Sequence, residues 1–229
     1  VAPRQRSSSR RADQPAPGKA GTRDPEAARA RILAAAIADF AAHGFAGARM
    51  DRIAQSAAAA KGLVFHHFGT KEALYRAALE HIYGALRARQ DECRLAELGP
   101  VEGIRRLVVD TFRSFREMPE ITALMNEENL HRARHLRAVT GVPTLYSGLF
   151  DAMESLLKEG REQGVFRGDV DPIGLYVALS GLGYFYCANR WTLSAAFAGD
   201  LFEDSRTGDY ETMIGDMVIA YLRGDGGRS

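Results

Sequence analysis

The sequence predicts an all-α protein of about nine helices, a small N-terminal three-helix bundle followed by a larger C-terminal helical bundle. Three observations carry that prediction. Apolar residues recur at helical spacing through nearly the whole chain after residue 24. Cap-plus-proline starts such as Asp24-Pro25-Glu26 and Asp171-Pro172 alternate with glycine and proline breaks. Period-two strands, repeats of fixed length and a glycine-rich phosphate loop are all missing from the pattern.

Residues 1–23 carry Arg4, Arg6, Arg10, Arg11, Lys19 and Arg23 among Ser, Pro, Gly and Ala, with little to bury. They read as a disordered basic tail, suited either to a minor groove or to solubility alone. Order begins where Asp24 can cap a helix with Pro25 at its first position and Glu26 facing the dipole. Ile32, Ala36 and Phe40 beside Leu33 and Ile37 form its apolar stripe, and His43-Gly44 ends it, with Phe45 folding back. Two very short helices follow. Thr70 then caps a long fourth helix from Lys71, whose buried side runs through Leu74, Ala77, His81, Ile82 and Leu86 and which connects the two bundles.

Gly99-Pro100 breaks the pattern before a helix over Val101–Glu117, and Met118-Pro119 breaks it before one over Ile121–Arg137. After Gly141-Val142-Pro143 a long helix covers 144–163 with Leu149, Met153 and Leu156 inward. Asp171-Pro172 starts a helix reaching about Trp191, and Asp209–Arg223 supplies the last.

The net charge of +1 conceals a division. Residues 1–90 hold 15 Lys and Arg against 7 Asp and Glu, whereas the remainder holds 15 against 22. A basic front on an acidic body is what a phosphate-binding module joined to a non-binding domain should show, although a solvated imbalance would look the same. No stretch has the roughly 18 uninterrupted apolar residues of a membrane span, and the N-terminus lacks the apolar centre of a secretory signal. Cys93 and Cys187 lie far apart without metal-ligand spacing. A soluble, cytoplasmic chain is expected.

Residues 50–74 carry the functional signal. Met50, Ile53, Ala54 and Ala57 would face Leu33, Ile37 and Phe40, while Leu63, Phe65 and Phe68 would close the same core from the other side. Arg49, Arg52, Lys61, His66, His67 and Lys71 are left to point outward, and Gly62 lets the second short helix approach a groove floor or a sugar edge closely. This is the geometry of a helix-turn-helix.

The run Ile53-Ala54, Ala57, Lys61-Gly62-Leu63-Val64-Phe65-His66-His67-Phe68-Gly69-Thr70-Lys71-Glu72-Ala73-Leu74 resembles the N-terminal domain of the TetR family of transcriptional regulators, over about residues 27–84. By that resemblance Lys61, Gly62 and Leu63 meet base edges. Phe65 takes the place of a Tyr that touches the backbone, and His67 and Lys71 take phosphate-contacting positions. Two residues depart from the family pattern: Ala58 and Ala60 occupy the places of a turn glycine and a hydroxyl cap. An Ala in a left-handed turn costs about 1 kcal/mol or more, and a missing cap about as much again. Some of these residues have a purely structural alternative: Phe65 reads mostly as core, and His66 and His67 could simply pack, whereas Lys71, a cation at a helix start against the dipole, is the strongest contact candidate.

The resemblance divides the chain into a DNA-binding head over 24–70 and a regulatory and dimerisation body over 71–229. It implies a homodimer, a double-stranded DNA operator close to a palindrome and a small organic effector. Gly181, Gly183, Tyr184, Met213, Met217 and Tyr221 suit packing between subunits, with intrachain core as the alternative. Asn126, Glu127, His131, Tyr146, Tyr184, Asn189 and Trp191 are the candidate pocket residues. Glu127, His131 and His135 recur at four-residue spacing and read first as an ion-paired helix face, then as a pocket wall, and last as a metal site. No enzyme activity, cofactor or metal is expected. Two other readings stay open: a helical-bundle metal enzyme built on Glu128 and His131, which lacks a second Glu-x-x-His pair, and a DNA-binding dimer without an effector.

Overall fold

The structure is a computed structural model describing residues 24–92 and 94–224. The basic tail expected over 1–23, and Cys93, lie outside the described residues. Among the described residues ten α-helices follow in order: α1 (Pro25–Gly47), α2 (Met50–Ser56), α3 (Lys61–Phe68), α4 (Lys71–Glu92), α5 (Pro100–Glu117), α6 (Pro119–Leu130), α7 (Val142–Glu162), α8 (Pro172–Ala188), α9 (Arg190–Ala196) and α10 (Asp204–Arg223). Short 3₁₀ turns cover Leu95–Glu97 and Leu136–Ala138, and no strand occurs among the described residues. The tenth α-helix arises because the segment read as one helix to Trp191 breaks at Asn189, which separates α8 from α9.

The caps act as the residue types require. Asp24 accepts from the Glu26 N–H at 3.0 Å, and Asp171 accepts from the N–H groups of Ile173 and Gly174 at 3.2 and 2.8 Å. Thr70 Oγ1 accepts from the Ala73 N–H at 3.1 Å. Gly44 interrupts α1 with φ 66°, and an added Cβ there would lie 2.8 Å from Glu127 Oε2. Only glycine satisfies both the turn and this close approach.

Two apolar cores result. Ile32, Phe40, Ile53, Val64, Leu74 and Leu79 centre one, to which α6 contributes Ile121 and Leu124. Ile104, Phe112, Leu149, Met153, Leu156, Leu179 and Ile214 centre the other, formed by α5, α7, α8 and α10. The inward residues expected on α7 are therefore in place. At Gly183 an added Cβ would sit 3.2 Å from Phe112 Cα, so the missing side chain lets α8 lie on α5.

The helix expected over Ile121–Arg137 is corrected: α6 starts at Pro119 and stops at Leu130. Arg132 and Ala133 take left-handed backbone at φ 57° and 55°. Glu127, His131 and His135 therefore do not share one helix face. The cause is Glu128, 2% exposed, which accepts from the N–H groups of His135 and Leu136 at 3.1 and 2.9 Å and from His135 Nδ1 at 3.0 Å. A buried carboxylate demands such partners, and the chain turns back to supply them.

Candidate nucleic-acid interface

Helices α2 and α3 meet across Ala57–Ala60. Ile53, Ala54, Ala57, Val64 and Phe68 are buried against α1 and α4, which fixes the rotation of both short helices. The turn is closed by backbone bonds, Ala57 N–H to Ile53 O at 2.9 Å and Ala59 N–H to Ala54 O at 2.9 Å. Ala58 takes φ 49°, the left-handed conformation that its Cβ disfavours. Ala60 precedes α3 in extended backbone and makes no side-chain cap. The two departures noted in the sequence are thus two real local costs.

The exposed side of α3 carries Lys61, Gly62, Phe65 and His66, with Leu63 and His67 half-buried at its margins. Phe65 corrects the sequence reading. It is 42% exposed, while Val64 takes the core position. Val64 and Phe68, four residues apart, define the inner face, and Phe65 falls outside it. Nothing lies within 4 Å of an added Cβ at Gly62, so this side of the helix start is open. His67 packs near His66 and Phe68, and its Nε2 is buried without a hydrogen-bond partner.

The cations divide into free and engaged groups. Arg49 is exposed, its backbone N–H donating to Asp39 Oδ2 at 3.0 Å. Arg52 is engaged: Nε and Nη2 donate to the Asp39 carboxylate, and Nη2 also donates to Gly47 O at 3.1 Å. Burial pushes the Asp39 carboxyl up, but hydrogen bonds from Arg52 and the Arg49 N–H outweigh it and hold the group below its ordinary 3.8. Lys61 pairs with Asp51 at 2.8 Å in open solvent, where exchange for a phosphate costs little. Lys71 is half-buried. Its Nζ donates to Ala46 O at 3.3 Å and sits 5.0 Å from the Phe45 ring centroid. That position gives it an anchoring role the sequence did not suggest.

Residues 32–78 match the family described as bacterial regulatory proteins, tetR family, and residues 100–218 match the tetracyclin repressor-like C-terminal domain. The chain is 32% identical over 207 residues to the HTH-type transcriptional repressor NicS of Pseudomonas putida, covering 90% of this chain and 98% of that one. The chain belongs to the TetR family.

Two further likenesses agree. The HTH-type transcriptional repressor SCO4008 of Streptomyces coelicolor is 55% identical over 58 residues, 25% of this chain and 30% of that protein. The solved structure of the regulator SCO4942, also from Streptomyces coelicolor, aligns with TM-score 0.62 at 25% identity, covering 83% of this chain and 97% of that one. As a TetR-family member the chain is a sequence-specific DNA-binding transcriptional regulator.

In the body of this TetR-family regulator, three of the seven candidate pocket residues come together. Asn126 and Trp191 line a cleft of about 330 Å³ between α5, α6, α8 and α9, and the Tyr184 hydroxyl donates to Asn126 Oδ1. The other four lie elsewhere. Glu127 faces the head and accepts from the Phe45 N–H at 2.8 Å. His131 caps the end of α6, its Nδ1 3.0 Å from Glu127 O. Tyr146 packs edge-on against Tyr176 at 5.9 Å, where burial pushes its hydroxyl far above the usual range. The Asn189 side chain donates to Phe185 O at 2.9 Å. Sequence reasoning missed Phe115, Arg116, Arg190 and Phe202, which line the cleft together with Pro119, Thr122, Ala123, Cys187 and Ala188. The pairing of Arg190 with Trp191 was the available signal. Burial pushes the Cys187 thiol in the cleft wall up to about 12, which keeps it protonated and inert.

Proposed function

We propose that this regulator is a homodimeric cytoplasmic repressor. Its two α3 helices enter successive major grooves of a near-palindromic double-stranded operator, and a small organic effector in the α5–α6–α8–α9 cleft releases it. The exposed edge of α3 carries the DNA half of this reading: Lys61, Gly62, Phe65 and His66 present one charged, small and flat surface over a buried scaffold. Arg49 extends it, Leu63 and His67 flank it, and Arg52 and Lys71 hold the scaffold that aims it. Phosphate contacts supply most of the affinity, and a few side chains at the α3 start supply the choice of sequence.

The dimer is supported by a continuous apolar face on α8 and α10. Ile173, Val177, Phe185, Met213, Met217 and Tyr221 are exposed, and a groove of about 330 Å³ runs between the two helices. An unpaired face of that kind marks an interface. Gly181 is open on this side, whereas Gly183 packs inward on α5.

The switch is supported by adjacent residues with different partners. Asn126 lines the cleft and bonds Tyr184; Glu127, the next residue, grips the Phe45 N–H where α1 turns at Gly44. A ligand that displaces Tyr184 from Asn126 would rotate the end of α6 and alter that grip. The effector must then bind the released arrangement more tightly than the DNA-bound one. Glu128 is occupied by His135 and two backbone N–H groups, so nothing favours the metal-enzyme reading. No helix among the described residues is long and apolar enough to cross a membrane.

The test is a gel shift at moderate salt with duplexes flanking the protein's own gene. A retarded band that survives excess scrambled duplex is expected. Equal competition by scrambled DNA would defeat the proposal.

A further inference from the structure

The cleft has a more definite chemistry than an organic ligand in general requires. Arg190 stands at its wall with Phe202 against one part of its guanidinium, 4.4 Å from the ring centroid, and Trp191 at 4.8 Å. Contact with two rings orients the plane of the guanidinium, which leaves its edge for hydrogen bonding. That edge is under-used. Nε is buried without a hydrogen-bond partner, and the guanidinium's ion pair with Asp200 is long and solvent-exposed, 3.7 Å from Nη2, so a ligand carboxylate can compete for it.

The second guanidinium of the cleft differs. Arg116 donates to Thr207 Oγ1 at 3.1 Å and pairs with Glu211 and Glu117 at 3.5 Å each, so its charge is already answered. None of the residues lining the cleft is acidic. A buried donor without an acceptor is costly, and a ligand oxygen placed there would recover that cost. The remaining walls are aromatic or small.

We propose that the cleft takes a small aromatic carboxylate, its carboxylate on the edge of Arg190 and its ring against Trp191 and Phe115. The inference rests on the reading of this cleft as the effector site and adds the chemical class of the effector. The carboxylate supplies the paired oxygens that a guanidinium fork accepts side by side, and Arg190 supplies the charge that a neutral analogue cannot use. A ligand of this kind reaches Asn126, which holds the Tyr184 hydroxyl, from the same cleft.

Trp191 is the chain's only tryptophan and is 76% exposed, so its emission reports on the cleft directly. The experiment titrates the full-length protein with benzoate, phenylacetate and 1-naphthoate, and in parallel with their neutral amides and with acetate. At least one aromatic carboxylate should shift the emission saturably and bind about 10- to 100-fold more tightly than its own amide, the loss expected for a charged hydrogen bond. Acetate should bind more weakly than that carboxylate. Arg190→Gln should abolish the preference, and Arg190→Lys should restore only part of it, because an ammonium lacks the fork.

The proposal is overturned if the amides bind as well as the acids, or if Arg190→Gln keeps the preference. It is also overturned if no aromatic carboxylate of the set changes the emission up to about 10 mM. Should Arg190→Gln fail to fold by circular dichroism, the acid and amide pairs on the unaltered protein still decide. Operator release is measured beside emission. A carboxylate that binds with the expected preference yet leaves the DNA bound refutes the effector reading alone. A neutral compound that binds and releases the DNA, with no carboxylate doing so, refutes the carboxylate alone.

Discussion

Replacing Gly62 with leucine separates the fold from its use more cleanly than any charge removal. Gly62 is exposed at the start of α3, and no atom stands within 4 Å of an added Cβ. The free protein therefore has room for the side chain. Its helical backbone favours leucine over glycine, so stability should be unchanged or higher by up to about 1 kcal/mol. In the proposed complex the same space holds a groove edge. A leucine there displaces contacts worth about 1–3 kcal/mol in each half-site, and a symmetric dimer incurs the loss twice. Binding should then weaken by about 2–6 kcal/mol, roughly 30-fold at the least. Fluorescence anisotropy with the operator duplex, paired with urea unfolding, measures both sides. A Gly62→Leu protein that binds within about twofold of the parent would refute the placement of this helix start in the groove. One that unfolds early would refute the open surroundings.

Three further outcomes follow from the same geometry. Ala58→Gly relieves the left-handed backbone at φ 49° and loses only an exposed methyl, so it should stabilise the head by about 1 kcal/mol, read as a rise of about 2–4 °C in melting temperature; an unchanged or lower midpoint would contradict the turn described here. Gly44→Ala forces a Cβ to φ 66° and to 2.8 Å from Glu127 Oε2, and urea unfolding should show a loss of about 1–3 kcal/mol. Asp39 has its pKa below 3.8 in the fold, so its stabilising effect is complete above the unfolded value and fades as pH falls through the lower folded one. Asp39→Asn should accordingly be less stable near neutral pH, and its stability should change less than the parent's as pH drops below about 4; parallel curves would remove the Arg52–Asp39 pair from the account.

Much of the head was legible because its determinants are local. Asp24, Gly44, Thr70, Ala58 and Ala60 each act on backbone within a few residues, so their chemistry can be read from order alone. Phe65 was misplaced because α3 has only eight residues, too few for periodicity to choose between Val64 and Phe65 as the inner position. Arg52 looked free because its partner Asp39 lies 13 residues away on another helix. The end of α6 depended on what Glu128 could reach after the chain turned, which no spacing rule encodes. The cleft was the least legible part. It joins α5, α6 and α9 with Phe202, beyond the end of α9, and residues so far apart meet only through the packing of the body.

In the proposed two-fold dimer α3 is the helix that reads DNA. Hydroxyl-radical footprinting of the operator with the full-length protein tests this most directly. Two symmetric protected segments are expected, their centres one helical turn or a whole multiple of about 34–36 Å apart, as two α3 helices on one face of the duplex require. Protection of a single segment, or protection that follows no symmetry and appears equally on scrambled DNA, would contradict the central claim.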